Sequence, residues 1–168
     1  SRFPGCLIGC GQTVHFDDGP FAGLTTSNPQ WEVVATLQGR LAVREPQFMF
    51  KANAYANQLG LDVDMTGSSI GWAMECYEKG MLTKEECDGL ELKFGNEDEA
   101  SVLLDKIAQR EGMGNLLADG VKRASAKVGK GSDHFAMHIK GLELPGYDIR
   151  GLQTFAMGLA VGTRGGCH

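Results

Sequence analysis

The sequence predicts a mainly α-helical protein with one or two short strands at most. Three observations lead there. Apolar residues recur at three- and four-residue spacing along most of the chain from residue 46 to residue 128, the period of a helix with one buried face. Helix-start signals stand ahead of these stretches: Pro46 at a first-turn position, and the pairs Thr83/Glu86 and Asn96/Glu99 at capping-box spacing. Strand-like alternation is confined to residues 134–140.

Taken in order, the first 28 residues are rich in glycine and turn formers and read as irregular. Pro29 opens a helical stretch over residues 30–37. Pro46 begins a second, running to about Leu59 and ended by Gly60. Residues 62–79 carry Val63, Ile70, Ala73, Met74 and Tyr77 at helical spacing, closed by Gly80. Asn96 and Glu99 precede Ala100, Leu103, Leu104 and Ile107, an amphipathic helix. Leu117, Val121, Ala124 and Val128 define one more. Phe135, Met137 and Ile139 share one side of the short strand. Residues 152–161 are apolar on every face, which suits a helix buried against neighbours or a cofactor.

The bulk numbers bound the function. A chain of 168 residues holds one domain or two small ones, with a sub-boundary expected near residues 130–150. A net charge of −5 argues against a general nucleic-acid binder, which would carry a basic face. The apolar runs fall well short of about 18 residues, so no membrane span is expected. No signal-peptide pattern is seen, and a cytoplasmic location is expected. The five cysteines at 6, 10, 76, 87 and 167 then read as thiols or metal ligands rather than a disulfide frame. Glycine, 24 residues and about twice the usual share of roughly 7%, is scattered; it suits tight turns and close backbone approaches.

Several residues could carry chemistry. In "PGCLIGCG", glycines would let the backbone aim Cys6 and Cys10 at a cluster or metal; the alternative is two buried cysteines near a turn. Asp62, after the Gly60–Leu61 corner, could cap a helix or present two acceptor oxygens to the paired N–H donors of a flat heterocycle. Glu32, beside Trp31, could stabilise a helix start, or be a carboxylate held against an aromatic wall that raises its pKa for proton transfer. His134 and His138 lie about 13 Å apart along a strand, too far for one zinc ion. Cys76 and Cys87 read as core or surface cysteines. Arg164 could complement the end of a helix or meet a phosphate.

Together, "CLIGCG", "NPQWEVVATLQG", "NQLGLDVDMTGSSIGWAMECYEKGMLT", "GNLLADGVKRAS" and "HIKGLELPGYDIRGLQTFAMGLAVGTRGGCH" resemble, in that order, the tungsten-containing aldehyde ferredoxin oxidoreductases. The likeness runs over nearly the whole chain. It implies the fold of that family's helical carboxy-terminal domains, and an internal segment with a β-rich domain before it and more helical chain after it. It implies a tungsten-bis(molybdopterin) cofactor and a [4Fe–4S] cluster in the whole enzyme, with either incomplete in this segment, and an isolated segment without activity. Cys6 and Cys10 match two cluster ligands; the place of a further cysteine, three residues before Cys6, holds Phe3, and a fourth ligand would lie beyond His168. Asn57, Gly60, Leu61 and Asp62 match a pterin contact of the form Asp-x-x-Gly-Leu-Asp, with Asn57 in place of the first aspartate. Glu32 and His168 match residues beside the tungsten that handle protons, and Arg164 is assigned to the cofactor. No clear match exists to the glutamate–histidine pair that binds a bridging iron in some dimeric members. The implied partners are ferredoxin and an aldehyde, with no nucleic acid or membrane and with homo-oligomers left open. Two rival readings stand beside this one: the active-site subunit of a low-potential aromatic-ring (benzoyl-CoA type) reductase, and a metal-free helical binding domain.

Overall fold

The structure, a computed structural model, describes residues 4–19 and 21–167. The glycine-rich opening is not wholly irregular. Strand β1 (Thr13–His15) pairs antiparallel with β2 (Thr25–Ser27), Thr13 opposite Ser27 and His15 opposite Thr25. The cross-strand contact of His15 Nδ1 and Thr25 Oγ1, at 2.7 Å, supports this ribbon.

The helix expected from residue 30 begins as α1 (Trp31–Val33) and then widens into a π turn over Val34–Gly39. Bonds across five residues mark the change, Arg40 N to Ala35 O at 2.8 Å and Val43 N to Gln38 O at 3.1 Å. The cause is local: the Thr36 hydroxyl donates to the Glu32 carbonyl at 2.7 Å and competes with the regular backbone ladder.

Helix α2 (Pro46–Gln58) starts as expected, with Pro46 at its first turn and the Glu45 carboxylate accepting from Gln47 N at 3.1 Å. It ends in a Schellman motif, with Gly60 at φ 73°, Gly60 N donating to Asn57 O and Leu61 N to Ala56 O. Asp62 then caps α3 (Val63–Glu78), its Oδ1 accepting from Met65 N at 3.0 Å. Helix α3 is the central element: every residue from Thr66 to Met74 is buried. Its small residues admit close neighbours, since a Cβ on Gly67 would sit 3.0 Å from the Thr36 backbone.

Helix α4 (Glu97–Gln109) buries the expected Ala100, Leu103, Leu104 and Ile107, and Asn96 caps it through Glu99 N at 3.3 Å. The helix expected across Leu117 to Val128 is two helices, α5 (Met113–Leu117) and α6 (Val121–Val128). Gly120, at φ 81°, breaks the run, and the buried Glu143 carboxylate caps α6 by accepting from Val121 N at 2.6 Å.

The strand expected over residues 134–140 is likewise shorter. A 3-10 turn occupies Ser132–Phe135, pinned by the Trp72 Nε1 donation to Ser132 O at 3.0 Å, and only His138–Ile139 forms β3, paired with β4 (Leu142–Glu143). Helix α7 (Gln153–Val161) forms where expected but is not buried: the described chain covers Leu159 fully, while Met157 and Val161 stay 67% and 76% exposed. All-round hydrophobicity predicted the element and a need for cover, not which neighbour supplies it.

The core joins Leu37, Leu41, Ile70, Met74, Leu103, Leu104, Leu117 and Val121. Cys76 and Cys87 lie in it as free, fully buried thiols, each pushed up to about 11 by burial. Among the described residues no helix is long and apolar enough to cross a membrane.

Candidate functional site

A cavity of about 900 Å³ opens between the amino-terminal segment, α1, the α2–α3 corner and the start of α3. Its walls include Cys6, Cys10, Glu32, Asn57, Leu61 and Asp62. Six residues singled out from the sequence, spread over more than fifty positions, thus face one hollow. Gly60 holds the corner and lines an adjoining cavity of about 420 Å³ that Leu61 and Asp62 share. Arg164 lines neither; it is exposed, with Nη1 3.5 Å from Cys167 Sγ. His168 and Phe3 lie outside the described residues.

The two amino-terminal cysteines are not the buried thiols of the alternative reading. Cys6 is half-buried and Cys10 exposed, both on the cavity wall. Among the described residues no three His, Cys, Asp or Glu side chains converge closely enough to hold a metal ion. At the corner, the Asn57 amide nitrogen donates to Asn53 O at 2.7 Å and to Asn53 Oδ1 at 3.1 Å. Asn57 keeps its carbonyl oxygen as the acceptor, and Asp62 keeps acceptor capacity on its second oxygen while the first caps α3.

Glu32 is placed by the first turn of α1 and met by a residue the sequence reading did not single out for a role. The Tyr147 hydroxyl donates to Glu32 Oε1. That bond, then burial, then the charges of Glu32 and Asp64 push the Tyr147 phenol up to about 12, so its proton stays on oxygen and points at Glu32. Trp31 lines the cavity but is 62% exposed; the aromatic side chain bonded to Glu32 is Tyr147. Tyr147 itself packs edge-on against Phe155 of α7, with centroids 4.8 Å apart. No local pattern marks such a pair.

A second carboxylate, Asp64, was also missed. It lines the same cavity from the first turn of α3. Burial raises its pKa, the charges of Asp62 and Glu32 push the same way, and the Thr36 hydroxyl, 3.2 Å from Oδ1, and the Arg40 charge oppose them. Among the described residues the hollow is thus lined by three carboxylates, Glu32, Asp62 and Asp64, the first of them bonded by the Tyr147 hydroxyl.

The terminal Arg-Gly-Gly-Cys stretch gets its glycines from packing. A Cβ on Gly165 would run into Ile139 O and one on Gly166 into Glu143 O, so the segment lies flat on the β3–β4 ribbon. Lys140 Nζ donates to Gly162 O at 2.6 Å and ties the same surfaces together.

A family model described as "Aldehyde ferredoxin oxidoreductase, domains 2 & 3" matches residues 2–168. The chain is 38% identical over 164 residues to the tungsten-containing aldehyde ferredoxin oxidoreductase of Pyrococcus furiosus, covering 97% of this chain and 26% of that protein. It is 34% identical over 170 residues to an aliphatic sulfonate oxidoreductase, WOR-like subunit, of the same organism, covering 98% of this chain and 27% of that one. Among solved structures, the active-site complex BamBC of benzoyl coenzyme A reductase with 1,5-dienoyl-CoA matches at a TM-score of 0.69 and 28% identity, over 84% of this chain and 20% of that chain. The chain thus spans about a quarter of the length of the curated relatives it matches.

Proposed function

The chain belongs to the aldehyde ferredoxin oxidoreductase family, and we propose that it forms the cavity wall of a tungstopterin, iron–sulfur enzyme that oxidises aldehydes to carboxylic acids and passes the electrons to ferredoxin. The observation that carries this reading is the meeting of Cys6, Cys10, Glu32, Asn57, Leu61 and Asp62 on one hollow. The residues fit the group in kind. A volume of about 900 Å³ suits a large cofactor. Cys6 and Cys10 would give two thiolates toward a [4Fe–4S] cluster, which takes four. Asn57 and Asp62 would accept hydrogen bonds from a pterin at the corner that Gly60 and Leu61 form. Arg164, which lines neither cavity, is assigned a cofactor phosphate on the family likeness alone.

When bound, the tungsten–pterin group supplies the two-electron oxidation. The chain's own part is placement and proton handling. Glu32 accepts the proton released as water adds its oxygen to the aldehyde carbon. The Tyr147 hydroxyl holds Glu32 Oε1 in place for that transfer. His168 is assigned to orienting the carbonyl and moving protons.

A second reading has its own support in the benzoyl coenzyme A reductase likeness: reduction of an aromatic-ring thioester at low potential. One assay separates the two. Whole protein loaded with tungstate is offered aldehydes with an acceptor dye, and aromatic CoA thioesters with a low-potential donor. Aldehyde-dependent dye reduction, abolished by Glu32→Gln, is expected; retained turnover in Glu32→Gln refutes the role of Glu32, and turnover of the thioester alone transfers the assignment to the second reading.

A further inference from the structure

The geometry points to Arg40 as a positioning residue: its guanidinium fastens the segment after β4 to α3 and so holds the Tyr147 hydroxyl on Glu32. This rests on the reading of Glu32 as the proton-handling carboxylate.

Arg40 follows the π turn directly, and its side chain runs between three parts of the fold. Nη1 donates to Ser68 Oγ on α3 and to Leu144 O at 3.3 Å; Nη2 donates to Pro145 O at 3.1 Å. Two successive carbonyls are thus met by one planar fork just where the β3–β4 ribbon runs out, its last bond being Leu144 N to Met137 O at 3.3 Å, a geometry that arginine offers and lysine does not. Tyr147 is the second residue beyond the last of those carbonyls. The Ser68 hydroxyl, 3.4 Å from Leu144 O and 2.8 Å from Asp64 O, sits in the same joint.

The surroundings fit this role. A Cβ on Gly71 would lie 3.0 Å from Arg40 Cγ, so the bare turn of α3 leaves a channel for the side chain. A Cβ on Gly146 would run into Ala35 Cβ, so the segment can lie on the π turn only because that position is glycine. Burial draws the guanidinium's pKa below its usual value, and Asp64 is the carboxylate whose charge works against that shift. A cation kept in such a place, with its donors committed to backbone carbonyls and a serine, serves to fix geometry. Without it, the Pro145 carbonyl loses the guanidinium donor and the Leu144 carbonyl keeps only the long bond from the Ser68 hydroxyl at 3.4 Å, so the segment lifts and the phenol leaves Glu32.

The test uses whole protein labelled with 3-fluorotyrosine and read by fluorine NMR, with the Tyr147 resonance assigned by its loss in Tyr147→Phe. Arg40→Met should move that resonance to the position it takes in Glu32→Ala, where the acceptor is gone, while the other tyrosine resonances stay in place. Arg40→Lys should leave it between the two, since one ammonium can serve one carbonyl. Turnover should fall by about 100-fold in Arg40→Met, the order expected for a displaced proton-handling group, and the fall should not add to that of Tyr147→Phe. A Tyr147 resonance unmoved in Arg40→Met, or unmoved in Arg40→Lys where the methionine variant does not fold, overturns the inference. The spectral readout needs no turnover. A shifted resonance in protein that oxidises no aldehyde keeps Arg40 in its role and removes the proposed reaction, and an unmoved one in active protein does the reverse.

Discussion

Tyr147 donates to a carboxylate 115 positions earlier in the chain, and the pair is what makes Glu32 more than a helix-start residue. Because its phenol is pushed up to about 12, the stability this bond contributes is full below the ordinary tyrosine value of about 10 and is lost as pH rises toward 12. Tyr147→Phe keeps the ring against Phe155 and removes only the hydroxyl. Its kcat should drop at least tenfold with the fold intact, measured by steady-state dye reduction in the whole protein. Asp64 shares the sign of that pH dependence, in a window near its carboxylate value. Its pKa is raised, so the stability linked to the protonated group is full below about 4 and lost as pH rises through the folded value. Asp64→Asn should therefore raise the thermal midpoint at pH 7, with the gain shrinking as pH falls toward 4; a gain that is constant with pH would contradict the burial of this carboxylate. Glu32, Asp62 and the two cysteines could be singled out as candidates because helix-start position, a glycine corner and glycine-flanked thiols are local patterns, and the family likeness marked them further. Tyr147, Asp64 and Arg40 could not, because contacts between distant segments define their roles.

Helices α2, α3 and α4 could be read to within a residue or two, since caps and glycine stops are encoded next to the turns they end. The elements misjudged were those decided from afar. Helix α6 begins where Val121 N, just after Gly120, donates to Glu143, a residue more than twenty positions later, and the π turn depends on a threonine hydroxyl whose preference for the backbone the apolar pattern conceals. The junction of α4 and α5 offers a direct test. A Cβ on Gly114 would run into the Lys106 backbone, so the two helices cross at a distance only glycine allows. Gly114→Ala should destabilise the protein by about 1–3 kcal/mol through overpacking, read as a lower denaturation midpoint in urea. An unchanged midpoint would mean that α5 does not cross α4 so closely.

The whole chain divides into a dense helical core around α3 and a more open side that carries the cavity and the exposed face of α7. Thiol chemistry should map this division. Cys76 and Cys87 are fully buried, with pKa values pushed up to about 11, so few thiolates exist at neutral pH and none is accessible. Alkylation of native, cluster-free whole protein, followed by mass mapping, should label Cys10 first and Cys6 more slowly, and leave Cys76 and Cys87 unmodified until the protein is denatured. The helical class was foreseeable from periodicity and from the family likeness. The bareness of α7 was not, because hydrophobic content calls for cover without naming it. The hollow between Cys6, Glu32 and Asp62 is proposed to hold a metal–pterin group. The measurement that tests this most directly is the tungsten content of purified whole protein, with Asp62→Ser beside the wild type. Serine keeps the cap on α3 and removes the carboxylate that faces the hollow. Stoichiometric tungsten in the wild type and its loss in Asp62→Ser is the expected result; a wild type free of tungsten, or a variant that retains it in full, would contradict the account.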